Sequence, residues 1–315
     1  RDSGIPSGKS MLFYTDPGVE DDVFGYHILM ERISQEREFY FINTTLPDVA
    51  RRAMRNYGWN IEDAEKRGDF FFVDACSAGI GLPGNSRYYL EEYTTEKIDE
   101  YIVKAINEIP GGTGLISTLS GIIDEVGEKK VIELIRKWNK IAEEKGVNLV
   151  YLFTVWNYSE STRNGIKNEM NCVVAVSGIE KRAIIGQYFS VVKADWTEVK
   201  PITVLFQILR PGGIRIYVPK ILITGPYNAG KSSFMHSIAT EAVSVDRSAL
   251  EKIPTTVALD VGHVNYRSFS ADLFGTPGQE RFDLLLEPLG RESVGAFIVV
   301  DSTQPETFVR AKEMI

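Results

Sequence analysis

Eight consecutive residues, Gly225-Pro226-Tyr227-Asn228-Ala229-Gly230-Lys231-Ser232, followed by Ser233, carry the spacing G-x-x-x-x-G-K-[ST] that can cradle a chain of phosphates. Glycines at both ends let the backbone turn tightly enough for its N–H groups to wrap an anion, and a helix starting at the end of the loop adds partial positive charge. The cradle would comprise Gly225, Asn228, Ala229, Gly230, Lys231, Ser232 and Ser233. Lys231 would reach the β- and γ-phosphates and the Ser232 hydroxyl would ligate Mg²⁺. Context fits: Ile221 to Thr224 reads as a strand, and Ser232 onward as a helix with Phe234, Ile238 and Ala242 on one face.

A second place for chemistry is Thr15-Asp16-Pro17-Gly18-Val19-Glu20-Asp21-Asp22. Four carboxylates there would repel a triphosphate, increasingly so as the site desolvates. The same acids suit a helix N-terminus, and a divalent cation is a minor alternative. Gly8-Lys9-Ser10 mimics a phosphate loop but precedes its strand and lacks the first glycine, so it is set aside. Cys76 and Cys172 form no metal-ligand spacing and read as buried thiols; His27, His236 and His263 are isolated and read as structural.

These groups need a scaffold. The chain has 315 residues, 43% hydrophobic and 25% charged, with Lys plus Arg 35 against Asp plus Glu 43, for a net charge of -8. That size suggests two domains, and the negative charge argues against a broad nucleic-acid footprint. No run approaches the roughly 18 apolar residues of a membrane span, and Arg1-Asp2-Ser3-Gly4 lacks a signal peptide's apolar region, so a soluble, cytoplasmic protein is expected. Candidate strands at Ser10 to Tyr14, Phe39 to Asn43, Phe70 to Val73, Gly114 to Ser117 and Val147 to Phe153 alternate with helical patterns, as in a doubly wound α/β sheet. Thr45, Pro47 and Gly58 punctuate one helix; Glu92 to Asn107 and Lys129 to Glu144 are others. After Asn171, strand-like runs follow with turns only, predicting antiparallel strands that finish a first domain over 1–219. A second domain, 220–315, begins after Pro219 with no flexible spacer, which predicts stiff coupling. Near its end Thr303 with Glu306 makes a capping box, so a helix is expected from about Gln304.

From Lys220 on, the sequence resembles the Ras-like small GTPases, in the branch whose second switch reads T-P-G-Q. The first switch is matched by Pro254-Thr255-Thr256-Val257-Ala258-Leu259-Asp260, and the second by Gly275-Thr276-Pro277-Gly278-Gln279-Glu280-Arg281-Phe282. The resemblance implies that Thr256, or else Thr255, binds magnesium, that the Gly278 N–H senses the γ-phosphate, and that Gln279 orients the attacking water. Gly275 stands where most of that family has a magnesium-holding aspartate; Asp260 or Asp272 could substitute through space. Arg281 reads as an exposed helix charge, with an arginine finger as the alternative. The family's base-reading N-K-x-D motif would lie beyond Ile315, so 220–315 is expected to be a C-terminally truncated domain whose guanine preference rests on resemblance alone.

Gly4-Ile5-Pro6-Ser7-Gly8 and Asn56-Tyr57-Gly58-Trp59 resemble the RecA/KaiC-like ATPases over Gly4 to Val218. Against that family Asp21 stands at the lysine position and Asp22 at the Ser/Thr position, and the strand ending Leu115-Ile116-Ser117-Thr118-Leu119-Ser120 lacks the family's acid. The expectation is therefore two P-loop-NTPase-type domains: a RecA-like mainly parallel sheet with an inactive loop, then a partial Ras-like fold. Together they would form a switch that binds GTP or GDP with Mg²⁺, hydrolyses GTP slowly and meets an effector or activator protein. The alternatives are a nucleotide-bound scaffold that does not cycle, and a RecA-like motor, which Asp21 and Asp22 disfavour.

Overall fold

A computed structural model describes residues 4–33, 36–181, 184–200, 202–244, 260–266, 269–278, 286, 290 and 293–314. The chain divides into two compact units: Arg1–Gly178, Gly186–Pro201 and Phe206–Arg215 form one, and Ile179–Ile185, Ile202–Leu205 and Ile216–Ile315 the other. No helix among the described residues is long and apolar enough to cross a membrane.

In chain order the first elements are β1 (Ser10–Thr15), α1 (Asp22–Arg32), β2 (Glu38–Ile42), α2 (Pro47–Asn56), α3 (Glu62–Arg67), β3 (Phe70–Asp74), α4 (Cys76–Gly79) and β4 (Tyr88–Tyr89). Then come α5 (Thr95–Glu108), β5 (Thr113–Ser117), α6 (Leu119–Val126), α7 (Glu128–Lys145), β6 (Asn148–Thr154) and α8 (Glu160–Asn168). Four strands follow without intervening helices: β7 (Cys172–Lys181), β8 (Ile184–Ala194), β9 (Val204–Leu209) and β10 (Gly213–Tyr217). The ten strands form one sheet in the order β10-β9-β8-β7-β1-β6-β5-β2-β3-β4. From β7 to β4 every adjacent pair is parallel. Strands of such a sheet are covered on both faces, which is why β2, β3 and β5 are buried at every position.

Alternation along the strands sorts the core into two layers. Phe39, Phe41, Leu149, Tyr151 and Phe153 pack with Ile98, Ile102, Ile122 and Trp138 from α5, α6 and α7. Tyr40, Ile42, Val150 and Leu152 pack with Val23, Leu29 and Met54 from α1 and α2. Each such fully buried large side chain contributes about 1.5–3 kcal/mol. Both thiols, Cys76 and Cys172, lie buried.

The second unit contributes β11 (Lys220–Thr224), α9 (Lys231–Ile238), β12 (Glu241–Ser244), β13 (Asp260–Tyr266), β14 (Phe269–Gly275), β15 (Ser293–Ile298) and α10 (Phe308–Glu313). Its sheet runs β12-β13-β14-β11-β15. β11 is parallel to both neighbours, β14 and β15, whereas β13 is antiparallel to β14 and β12.

Several local expectations need correction. Leu46, not Thr45, holds the N-cap position of α2. Ala242 lies in β12, because α9 ends at Ile238. The turn before α10 is tied by Asp301, which accepts from Thr303 N–H (2.9 Å), Thr303 Oγ1 (2.7 Å) and Gln304 Nε2 (2.8 Å), in place of a Thr303–Glu306 box.

One buried acid stands out in the first unit. Glu38 opens β2 fully buried, opposite Thr113 of β5, and neither its carboxyl oxygens nor the Thr113 hydroxyl has a hydrogen-bond partner. Burial, reinforced by the Glu36 charge and only partly offset by Arg32, pushes this carboxyl up to about 9. The folded chain thus holds a proton that the unfolded chain releases above its ordinary carboxylate range. Stability from this group is complete at about pH 4 and drains as pH rises toward 9. Glu38→Gln removes that dependence, so its gain in thermal midpoint should be nil near pH 4 and grow to several degrees by pH 8.5, a gain of about 1 kcal/mol or more. Thermal unfolding across that range measures it.

Candidate functional site

The phosphate-type loop sits where the sequence places it, between β11 at the interior of the second sheet and α9. Gly225 enters the loop at φ +146, and a Cβ there would stand 2.0 Å from the Val299 carbonyl oxygen, so no larger residue fits. Asn228 adopts φ 60, and Gly230 at φ 88 hands the chain to α9. The helix opens with Phe234 N–H donating to the Gly230 carbonyl (2.9 Å). The N–H groups of a helix's first turn lack intrahelical partners and can serve as anion donors.

Lys231 Nζ curls back over the loop, donating to the carbonyls of Gly225 (2.9 Å) and Pro226 (2.7 Å). Burial lowers its pKa, while the Asp260 carboxylate nearby acts the other way. Ser232 Oγ donates to Asp260 Oδ2 at 2.6 Å. Asp260 begins β13 and lies directly opposite Gly275 at the end of β14. A Cβ on Gly275 would meet Asp260 Cβ at 3.0 Å and Met235 Cε at 3.1 Å. A carboxylate, Asp260, thus stands on the strand beside Gly275 and within reach of Ser232. Asp272, the other substitute considered, instead meets His263 Nδ1 at 2.8 Å in the opposing cross-strand pair.

A hydroxyl and a carboxylate oxygen converging beside the loop are the hard oxygen donors that Mg²⁺ takes, and Mg²⁺ commonly needs only one or two carboxylates besides substrate phosphates. Ser232 and Asp260 could hold it. Thr256, Thr255, Gln279 and Arg281 lie outside the described residues.

The loop is also met from β14. Thr276 N–H donates to the Ile223 carbonyl (2.9 Å), and Thr276 Oγ1 to Thr224 Oγ1 (2.9 Å), both threonines being buried. Two residues on, buried Gly278 lies against Lys231 and the Pro226–Tyr227 backbone. The threonine pair went unread in the sequence; its only signal is a threonine closing β11 and another just after β14.

At the carboxyl end of β1 the geometry differs. Glu20 accepts from Tyr57 Oη and from Arg210 Nη2 (2.6 Å to Oε1), and Arg210 lies over the Tyr57 ring at 5.1 Å. Burial would raise the Glu20 pKa, but the Arg210 and Tyr57 hydrogen bonds outweigh it and the net direction is down. Asp22 accepts from Ser117 Oγ at 3.3 Å, and Asp21 from Thr154 Oγ1 at 3.5 Å. Burial, with the Asp22 charge adding to it, pushes Asp21 up to about 6; burial also raises Asp22. Glu20, Asp21 and Asp22 are thus spent on the protein's own hydroxyls and guanidinium. Among the described residues no group of three or more His, Cys, Asp or Glu side chains is placed to share a metal ion.

The family model described as "ATPase: KaiC" matches residues 2–221. The chain belongs to the KaiC ATPase family. It is 24% identical over 169 residues to a circadian clock protein KaiC3 of a Synechocystis species, a match covering 53% of this chain and 33% of that one. A UPF0273 protein of Pyrobaculum aerophilum is 27% identical over 130 residues (41% of each chain), and one of Thermotoga maritima 26% (41% and 48%). The chain thus spans between a third and a half of the length of these relatives. The crystal structure of a KaiC-like protein from Pyrococcus horikoshii superposes with a TM-score of 0.55 at 20% identity, covering 68% of this chain and 91% of that one, which is a likeness of fold. In this member of the KaiC family the loop after β1 bears Asp21 and Asp22, and the G-x-x-x-x-G-K-S loop lies beyond the matched region.

The crowding at Gly275 is testable. Gly275→Asp should lower the thermal midpoint by several degrees, an overpacking cost of about 1–3 kcal/mol. Adding Asp260→Gly to that variant should recover at least half of the loss, because the first obstacle is then gone.

Proposed function

We propose that this chain is a guanine-nucleotide switch in which residues 220–315 form a partial Ras-like domain and residues 1–219 a KaiC-like domain that binds no nucleotide of its own and serves for regulation or docking. One observation carries the reading. Lys231, Ser232, Asp260 and the Gly278 backbone meet at one loop at the carboxyl end of β11, while the loop after β1 turns its carboxylates onto Arg210, Ser117 and Thr154. The parallel β14-β11-β15 core with β13 antiparallel at its side is compatible with this assignment.

In this reading the backbone from Gly225 to Ser233 binds the phosphates and Lys231 neutralises the terminal ones. Ser232 and Asp260 hold Mg²⁺, joined by Thr256 from the first switch, and the metal supplies neutralisation of charge on the β- and γ-phosphate oxygens. Gln279 orients the attacking water. Hydrolysis is slow unless an activator protein assists, and an effector reads the switch state. Gly275 specifically favours the second reading, a nucleotide-bound scaffold that does not turn over; single-turnover hydrolysis separates the two.

The test is titration of the full chain with fluorescent GDP, GTP and ATP, with stoichiometry. One guanine nucleotide per chain is expected. Affinity should fall at least tenfold in Lys231→Ala, and Asp260→Ala should lose the magnesium-dependent part. Two nucleotides per chain, or ATP binding that survives Lys231→Ala, would return the loop after β1 to service and sink the proposal.

A further inference from the structure

Two carboxylates at one end of the first sheet carry charge that no cationic side chain meets. Asp21 caps α1 and Asp22 begins it, both partly buried, a few residues past the carboxyl end of β1. Their neighbour Glu20 is paired with Arg210, but among the described residues no Lys, Arg or His pairs with Asp21 or Asp22. Each accepts one long hydrogen bond from a hydroxyl, Asp21 at 3.5 Å from Thr154 and Asp22 at 3.3 Å from Ser117, although a carboxylate offers about four acceptor sites. A hydroxyl satisfies an acceptor without cancelling its charge. The dipole of α1 offsets part of that charge, and the Asp22 carboxylate acts against the ionised form of Asp21.

A third group converges on the same place. Thr15 closes β1 wholly buried, and its Oγ1 has no hydrogen-bond partner. It lies toward Asp21, near enough to favour that carboxylate's charge. Thr15 and Thr154 are register partners on the adjacent parallel strands β1 and β6, and Ser117 ends β5 on the other side of β6. Asp21 thus stands over the β1–β6 pair and Asp22 over β5, so that the two acids straddle the end of β6. A buried hydroxyl left without a partner carries a desolvation cost, and here it sits where the charge is uncancelled.

These groups call for a cation that donates hydrogen bonds. Consecutive residues at the start of a helix diverge by about 100°, so Asp21, Asp22 and Thr15 approach from three directions rather than in one plane. A guanidinium presents a planar fork, whereas a primary ammonium presents three donors as a tripod. We propose that Asp21, Asp22 and the Thr15 hydroxyl bind a primary ammonium group, brought by a free alkylamine or by a lysine side chain of another protein. Asp16, exposed at the start of the same loop, adds negative potential that draws a cation in. The site belongs to the first unit and does not depend on what the loop after β11 binds.

The experiment is calorimetric titration of the full chain with n-butylammonium, Nα-acetyl-lysine methylamide, butyltrimethylammonium and Mg²⁺, at matched ionic strength. One primary ammonium per chain should bind saturably, and the quaternary ion, which has the charge but no N–H, should not bind. Asp21→Asn or Asp22→Asn should weaken binding at least about tenfold and Thr15→Val about threefold, as expected for loss of a charge-assisted and of a neutral acceptor. The Asn variants remove a like charge and should keep the thermal midpoint of the unliganded chain. Protons compete with the amine: Asp21 is pushed up to about 6, and the other titratable groups facing the pair are Glu20, held by Arg210, and the phenols of Tyr26 and Tyr40. Affinity should therefore rise about threefold or more from about pH 5.5 to 7.5. Tighter binding of the lysine amide than of butylammonium would assign the source to a protein lysine, and equal or weaker binding to a free amine; both support the site. Absence of saturable ammonium binding, equal binding of the quaternary ion, affinity unchanged in both Asn variants, or Mg²⁺ binding that excludes the amine would overturn the inference.

Discussion

Everything about these two loops follows from the sign of the charge at the carboxyl end of an interior parallel strand. A phosphate chain is a concentrated anion, and a helix N-terminus welcomes it only if the flanking side chains do not compete for the same positive field. After β11 the helix opens with Lys231 and two serines, leaving its N–H groups to an external anion. After β1 the helix opens with Asp21 and Asp22 in place, so that field is already answered by the chain's own carboxylates. Arg210, which would otherwise be a cation looking for a partner, is consumed by Glu20 in the same neighbourhood.

The second determinant is register. Antiparallel pairing of β13 with β14 puts Asp260 opposite Gly275, and a slip of one residue would turn Asp260 to the other face of the sheet. The pairing makes a carboxylate on one strand and a glycine on the next into a single compound position: one gives the charge, the other the space. Met235 fixes the arrangement, since its side chain lies against both Gly275 and Gly262.

Much of the parallel sheet was legible because its strands are continuous apolar runs and its long helices are periodic. The phosphate-type loop was legible because glycine, lysine and serine at fixed spacing do one job. Helices α3, α6 and α8 were not. α6 carries Gly121 and α8 carries Gly165, residues that argue against a helix by propensity, yet each glycine answers to a neighbour. A Cβ would stand 2.9 Å from Asn43 Nδ2 at Gly121 and 2.6 Å from Ile132 Cδ1 at Gly165. α3 is six residues of almost wholly charged sequence, held by Arg51 reaching Glu65 at 2.7 Å from another helix. Asp260 was legible only as one of two acids, and that it, not Asp272, stands beside Ser232 needs the strand pairing. Tertiary proximity decides such cases, and the chain's own spacing does not encode it.

Among the described residues, the buried apolar cluster of the second unit is small. Its buried cluster among the described residues is Ile223, Met235 and Leu273, with partly covered side chains around them, against more than twenty in each layer of the first unit. Anything that binds this fold and not the unfolded chain adds stability by mass action, about 2.7 kcal/mol at a hundred times its dissociation constant. A ligand in the loop would then be a structural member as much as a signal.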